Sequence, residues 1–197
     1  MIDLVAPRER CRIRVVHVES PGIDELMAEI TALAFRQESD EHGPLDREIF
    51  YCGDAGRLFE FGGLSLVPEA WPECLLRARR LVAEACDLPE ALFSACLVNR
   101  YREGKGSIPF HSDDVTRHDP PLVASLSLGG PRLFRLRPKL DAPEPLLPEH
   151  MLEPGSIVIL DGPEAHSHYE HQLPLTGGKN PLRISCTFRP IVKTTTT

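Results

Sequence analysis

The chain has 197 residues, 42% of them in the broad hydrophobic set and 26% charged, so it can bury about two thirds of its extended-chain surface in one compact domain. A balance of 29 acidic to 22 basic side chains gives a formal charge of −7, which disfavours capture of nucleic acid by bulk positive charge and confines such binding to a local basic groove. Nineteen prolines interrupt the chain too often for an all-helical bundle.

The acidic excess lies in the N-terminal half: residues 1 to 98 carry 10 basic and 18 acidic side chains, and residues 99 to 197 carry 12 and 11. Cys11, Cys52, Cys74, Cys86, Cys96 and Cys186 are scattered without a CxxC pair. That spacing supports neither a zinc ribbon nor a thioredoxin-like site, and it predicts reduced, largely buried thiols. No stretch reads as a secretion signal or approaches the roughly 18 apolar residues of a membrane span. The expectation is a soluble intracellular protein, cytoplasmic or nuclear, monomeric and without a membrane partner.

In chain order, PGIDELMAEITALAF over 21–35 places Ile23, Leu26, Met27, Ile30 and Leu33 at helical spacing. After a polar stretch at 37–49, IFYCGDAGRLFEFGG reads as short extended pieces punctuated by glycine. A second helix is expected within 68–86, with Trp71, Leu75, Ala78, Val82 and Ala85 as its apolar stripe and Arg77, Arg79 and Arg80 on a wet face. From residue 91 the period becomes that of a strand. Phe93, Ala95, Leu97, Asn99 and Tyr101 share one face, and the polar pair at its end suggests a lined cavity. Gly104 and Gly106 mark a turn before SIPFHSDD. Further strands are predicted at 122–128, through PRLFRLRPKL, at 156–160 and at 182–190, with the proline-rich stretch Asp141 to Glu153 as an excursion. Short, turn-separated strands of this kind predict a sandwich or jelly roll.

Two segments carry chemistry. In HSDD, His111 and Asp113 at i and i+2 project to the same side of an extended segment. Imidazole nitrogen and carboxylate oxygen together suit Fe(II), and a second histidine would complete a two-histidine, one-carboxylate face with positions left open. His166, His168 and His171 are the candidates, and spacing does not choose among them. In RISCTFR, Arg183, Ser185, Thr187 and Arg189 form a polar face opposite Ile184, Cys186 and Phe188. Such arginines could clamp the far carboxylate of 2-oxoglutarate through paired hydrogen bonds, or stand outward on an ordinary edge strand. Asn99 and Tyr101 could be cosubstrate donors or satisfied core groups.

Taken together, NRYREGKGSIPFHSDD, ASLSLGGPRLFRLR, HYEHQLP and PLRISCTFRPI resemble the AlkB family of Fe(II)- and 2-oxoglutarate-dependent dioxygenases over roughly residues 45–191. The resemblance implies a mostly β protein with flanking helices around a double-stranded β-helix, or jelly-roll, core. One domain would span 1–197, with a helical and extended N-terminal region at 1–90 that carries a recognition lid and the catalytic core at 91–191. It further implies that His111, Asp113 and His171 bind iron, His171 being marked by the HQLP that follows it. Arg183 and Arg189 match the family's cosubstrate arginines, Asn99 and Tyr101 its NxY motif, and Ser185 stands where asparagine is common. Phe110 replaces a frequent tryptophan, Tyr169 and Glu170 alter the approach to the distal histidine, and Val115 replaces an acidic residue.

The activity implied by the resemblance uses Fe(II), 2-oxoglutarate and O2 to demethylate N-alkylated bases in DNA or RNA, releasing formaldehyde, succinate and CO2. A methylated single strand is the expected partner. An exposed or flipped base would meet aromatic surface, for which Tyr51, Phe59 and Phe110 are the candidates. Arg132, Arg135, Arg137 and Lys139 make the best local basic run, with Arg135, Arg137 and Lys139 exposed together to contact phosphate or simply to meet solvent. The competing readings are a hydroxylase or demethylase of a protein or small molecule, and a noncatalytic interaction domain.

Overall fold

A computed structural model describes residues 1–19, 21–41, 43–103, 106–139, 147–175 and 181–193. Gly104, residues 141–146 of the excursion and the four C-terminal threonines lie outside the described residues. The strands are β1 (Ile2–Asp3), β2 (Arg12–His17), β3 (Arg36–Asp40), β4 (Gly43–Gly53), β5 (Phe59–Phe61), β6 (Leu64–Leu66), β7 (Ala95–Tyr101), β8 (Ile108–His111), β9 (Leu122–Gly129), β10 (Arg132–Pro138), β11 (His150–Leu152), β12 (Ser156–Asp161), β13 (Tyr169–Leu173) and β14 (Arg183–Arg189). Helices α1 (Ile23–Thr31), α2 (Glu73–Cys86) and α3 (Pro163–Ser167) punctuate them.

Eight strands form the larger sheet, in the order β1-β2-β12-β9-β14-β7-β4-β3, and a smaller sheet runs β11-β10-β13-β8. The order is far from sequential, as expected when a chain winds between two facing sheets of a jelly roll. Period-2 alternation explains the layering. On β12, Ile157 and Ile159 join the core under the helices, whereas Val158 and Leu160 face the interior between the sheets. Helices α1 and α2 cover the outer face with Ile23, Leu26, Ile30, Leu75, Ala78 and Val82.

Both expected helices are present, and the polar stretch at 37–49 is mostly extended. It forms most of the β3–β4 hairpin, and β4 pairs with β7 from Glu48↔Arg100 to Gly53↔Ala95. The N-terminal strands β1 to β4 are thus integral to the large sheet. Trp71 precedes α2 and is covered by Arg79, whose guanidinium lies 4.9 Å from its ring centroid. The α2 arginines are ion-paired as well, Arg77 with Glu29 and Arg79 and Arg80 with Glu90. Phe93 lies outside the polar row expected for it: β7 begins at Ala95, and Phe93 packs on Phe188 in the helix-side core. Strand β14 sits between β9 and β7, so the edge-strand alternative is overturned.

Candidate active site

A cavity of about 490 Å³ opens between the sheets, and its floor is the inner face of the large sheet: Asn99 and Tyr101 from β7 and Arg183, Ser185, Thr187 and Arg189 from β14. Alternation along β14 sends Ile184, Cys186 and Phe188 into the opposite core. The two rows are locked in register by Arg183↔Tyr101 and Ser185↔Asn99 pairing. The close approach at Tyr101 depends on Gly106, whose φ is +90° and where a Cβ would lie 2.6 Å from the tyrosine ring.

The cavity wall brings His111, Asp113 and His171 together. His111 ends β8 and is paired with His171 on β13, so their ring centroids are 4.3 Å apart. Asp113 lies two residues past the strand, with Oδ2 3.7 Å from His171 Nε2 and Oδ1 2.7 Å from Arg189 Nη2. Phe134 stacks on the His171 ring with a centroid separation of 5.7 Å. His166 is buried on α3 and His168 follows it on an exposed turn; neither lines the cavity.

The protonation states suit a cation. Burial alone would raise the Asp113 carboxyl, but the Arg189 guanidinium beside it overcomes that and holds the group well below the usual carboxylate range. Burial lowers His171 to about 4, against the opposing pull of Asp113, so its ring is neutral at neutral pH. His111 Nδ1 lies 2.9 Å from the Pro109 carbonyl oxygen. A carbonyl only accepts, so Nδ1 donates here, which leaves Nε2 as the nitrogen able to face a cation. Among the described residues no group of three or more His, Cys, Asp and Glu side chains already forms a metal-holding array, and one Asp113 oxygen is turned onto Arg189. The donors themselves, two imidazoles and one ionised carboxylate beside an open cavity, fit Fe(II).

Arg183 is the most unusual group on the floor. It is 1% exposed, its Nη2 donates to Ser127 Oγ at 3.0 Å, and its Nε and Nη1 have no hydrogen-bond partner. Burial lowers its pKa below the ordinary arginine range, and Tyr101 opposes that shift. The guanidinium lies 5.2 Å from the Tyr101 ring centroid. A buried cation that lines a cavity with donors still unused is suited to a carboxylate. Asn99 accepts from Arg47 Nε at 2.7 Å, while Ser185 and Thr187 hydroxyls lie 2.8 and 3.1 Å from Ser125 Oγ.

A family model described as the 2OG-Fe(II) oxygenase superfamily matches residues 65–189. The mouse DNA oxidative demethylase ALKBH2 is 33% identical over 171 residues, covering 83% of this chain and 69% of the mouse protein. The human protein of the same name is 32% identical, with 90% and 77% covered. This chain belongs to the AlkB family of 2OG-Fe(II) oxygenases. It is therefore an Fe(II)- and 2-oxoglutarate-dependent dioxygenase with O2 as the other cosubstrate. The alpha-ketoglutarate-dependent dioxygenase AlkB of Escherichia coli strain K12 is 32% identical over 122 residues, covering 60% of this chain and 53% of that protein. The solved structure titled "The structure of OsALKBH1" superposes with a TM-score of 0.57 over 90% of this chain and 97% of that one, at 18% identity. That likeness supports the AlkB-type jelly-roll fold.

Against this family frame, the surface expected to meet substrate needs correcting. Tyr51 is buried away from the cavity lining and donates its hydroxyl to the Arg57 carbonyl, because its face of β4 is roofed by the β5–β6 hairpin. Phe110 also lies outside the cavity, covered by the Arg137 guanidinium at 3.8 Å from its ring centroid. Phe59 does line the cavity. The basic run is largely spoken for: Arg135 pairs with Glu149 at 2.6 Å, Arg137 with Glu170 at 2.7 Å, and Lys139 donates to the His166 carbonyl at 3.1 Å. Arg132 is 2% exposed and donates to the Gly106 carbonyl. Missing from the expected set was Arg47, which lines the cavity. It interrupts the row Leu45, Ile49 and Tyr51 on its face of β4, within a stretch too polar to declare its alternation. Phe61, two residues from Phe59, also lines the cavity.

No described helix is long and apolar enough to cross a membrane. All six cysteines are buried free thiols.

Proposed function

We propose that His111, Asp113 and His171 hold Fe(II), that Arg183 binds the far carboxylate of 2-oxoglutarate, and that the enzyme demethylates N-alkylated nucleic-acid bases. The observation that carries this reading is the pair of unpartnered Arg183 donors on the same cavity floor as Arg189, which is bonded to Asp113. Asn99, Tyr101 and Ser185 complete the cosubstrate side. Tyr101 shapes the bed around Arg183, and Asn99 is held in place by Arg47. Arg189 acts on Asp113, keeping its carboxylate ionised and oriented.

When bound, the iron supplies O2 activation at the expense of 2-oxoglutarate, which leaves as succinate and CO2. An N-methyl carbon hydroxylated in this way departs as formaldehyde and returns the unmodified base. The chain's own work is placement. The two imidazoles and the carboxylate would fix the metal's position, the buried guanidinium would set the cosubstrate's direction, and Phe59 and Phe61 add apolar surface to the cavity lining. A base inside a duplex cannot reach such a cavity, so the substrate is an unpaired or flipped nucleotide. The demethylase names of the mouse and human relatives support the same substrate class.

A second reading, oxidation of a methylated protein side chain or small molecule, is favoured by the neutralised basic run and the net charge of −7. Incubation with Fe(II), 2-oxoglutarate and O2 separates the two. Methylated single-stranded DNA and RNA oligonucleotides should yield formaldehyde in step with succinate. Formaldehyde from methylated peptides or small amines, and none from the oligonucleotides, would establish the second reading instead.

A further inference from the structure

Three successive residues of β5 each engage an arginine from a different part of the chain. Phe59 lies under Arg189, whose guanidinium carbon is 4.6 Å from the ring centroid. Glu60 pairs with Arg117 at 3.3 Å, and Phe61 lies 5.9 Å from the guanidinium of Arg47. A two-stranded ribbon of three-residue strands has little stability of its own, so its seat depends on such contacts and on packing of Phe59, Phe61, Leu64 and Leu66 against the Leu45, Ile49 and Leu97 cluster. The first of the three arginines continues to the proposed metal group: Arg189 donates Nη2 to Asp113 Oδ1 at 2.7 Å, while Asp113 Oδ2 faces His171.

We infer that Phe59 is a positioning residue for the metal-site carboxylate, its ring holding Arg189 on Asp113 Oδ1 so that Oδ2 stays turned toward the histidines. The inference rests on the proposed assignment of His111, Asp113 and His171 as metal ligands. Its physical basis is a chain of two contacts. Arg189 is 6% exposed, and an aromatic face over a desolvated guanidinium attracts it and blocks the alternative positions a water-exposed arginine would sample. A carboxylate held through one oxygen has only the other to offer a cation, which fixes how it ligates. Seating of the β5–β6 ribbon over the cavity therefore orders the site beneath it, and the cover and the carboxylate respond as one unit.

The test is Mn(II) titration of the full chain, read from the loss of the free-ion electron paramagnetic resonance signal, with thermal melting as a control. Phe59→Leu keeps apolar bulk in the hairpin and removes the ring face, so it should fold like wild type. It should weaken Mn(II) binding about fivefold, less than the tenfold or more that follows loss of a group bonded directly to a ligand, because Phe59 acts through Arg189. Phe59→Tyr restores the ring face and should bind within about twofold of wild type. Phe35→Leu, which removes the ring beside Arg100 outside the cavity, should leave Mn(II) affinity unchanged. Unchanged affinity in Phe59→Leu, failure of Phe59→Tyr to restore it, or an equal loss in Phe35→Leu would overturn the inference. Asp113→Ala, measured alongside, separates the two levels. If it binds Mn(II) as well as wild type, the ligand assignment itself is wrong and the positioning role falls with it.

Discussion

Replacing Arg183 separates binding from folding, because the buried guanidinium should cost stability in the free protein and supply affinity in the complex. Two of its donors, Nε and Nη1, are unpartnered, and the third, Nη2, is committed to Ser127. If the far carboxylate of 2-oxoglutarate takes one free donor, that charged hydrogen bond is worth about 1.5–3 kcal/mol. Its loss in Arg183→Met then removes about 1.5–3 kcal/mol, which at 1.4 kcal/mol per decade is about 10- to 10²-fold in affinity. Arg183→Lys retains charge without the fork and should lose about tenfold. Exchanging a buried cation without a carboxylate partner for an apolar chain of similar length should instead leave the unliganded protein as stable or up to about 3 kcal/mol more so. The assays are succinate formation against 2-oxoglutarate concentration and thermal unfolding without cosubstrate. Unchanged KM for 2-oxoglutarate in Arg183→Met, or loss of cosubstrate use only in step with a lowered Tm, would refute the reasoning.

Other outcomes follow from charge and burial. Burial and the nearby Arg189 lower His118 from 6.5 to about 4, so the unfolded chain takes up this proton first and stability is lost as pH falls from about 6.5 through about 4. In His118→Gln that part of the acid slope should disappear from urea-unfolding curves. Glu48 is held at about 2, below its ordinary 4.5, by hydrogen bonds from Arg102 and Arg100. Its contribution is present above pH 4.5 and is lost as pH falls toward 2. Glu48→Gln should therefore cost roughly 1–2 kcal/mol at pH 7, after screening of the exposed Arg102, and progressively less toward pH 2. Burial raises Cys52, Cys74, Cys86 and Cys96, the third to about 11. A thiol reagent should consequently label native protein slowly and all six cysteines after denaturation; fewer than six would reveal a disulfide.

The parts of the site legible in the sequence are those on strands with one polar and one apolar face. RISCTFR declares both its cavity row and its core row because Ile184, Cys186 and Phe188 alternate strictly with polar residues. HSDD likewise places His111 and Asp113 together, although the strand ends at His111 and Asp113 reaches the cavity from the following turn. Periodicity gives no access to β3 and the first half of β4, where Arg36 to Glu48 are mostly polar on both faces; their pairing with each other makes them strands, and β4 joins the sheet through β7 from Glu48 onward. Arg47 was hidden for that reason. The basic run failed differently. Its alternation on β10 was readable, but the partners Glu149 and Glu170 come from neighbouring segments brought alongside by the fold. Tyr51 was misplaced because strand alternation identifies a face and not what covers it, and here the cover is the β5–β6 hairpin.

The central claim is that one cavity joins a His111, Asp113 and His171 metal site to an Arg183 carboxylate site and oxidises a methyl group there. It is tested most directly by measuring formaldehyde and succinate together from a methylated single-stranded oligonucleotide, using wild type and single variants at His111, Asp113, His171 and His168. Wild type and His168→Ala should release the two products in equal amounts, while His111→Ala, Asp113→Ala and His171→Ala, each verified as folded, should release neither above background. Turnover that survives His171→Ala and is lost in His168→Ala would contradict the account.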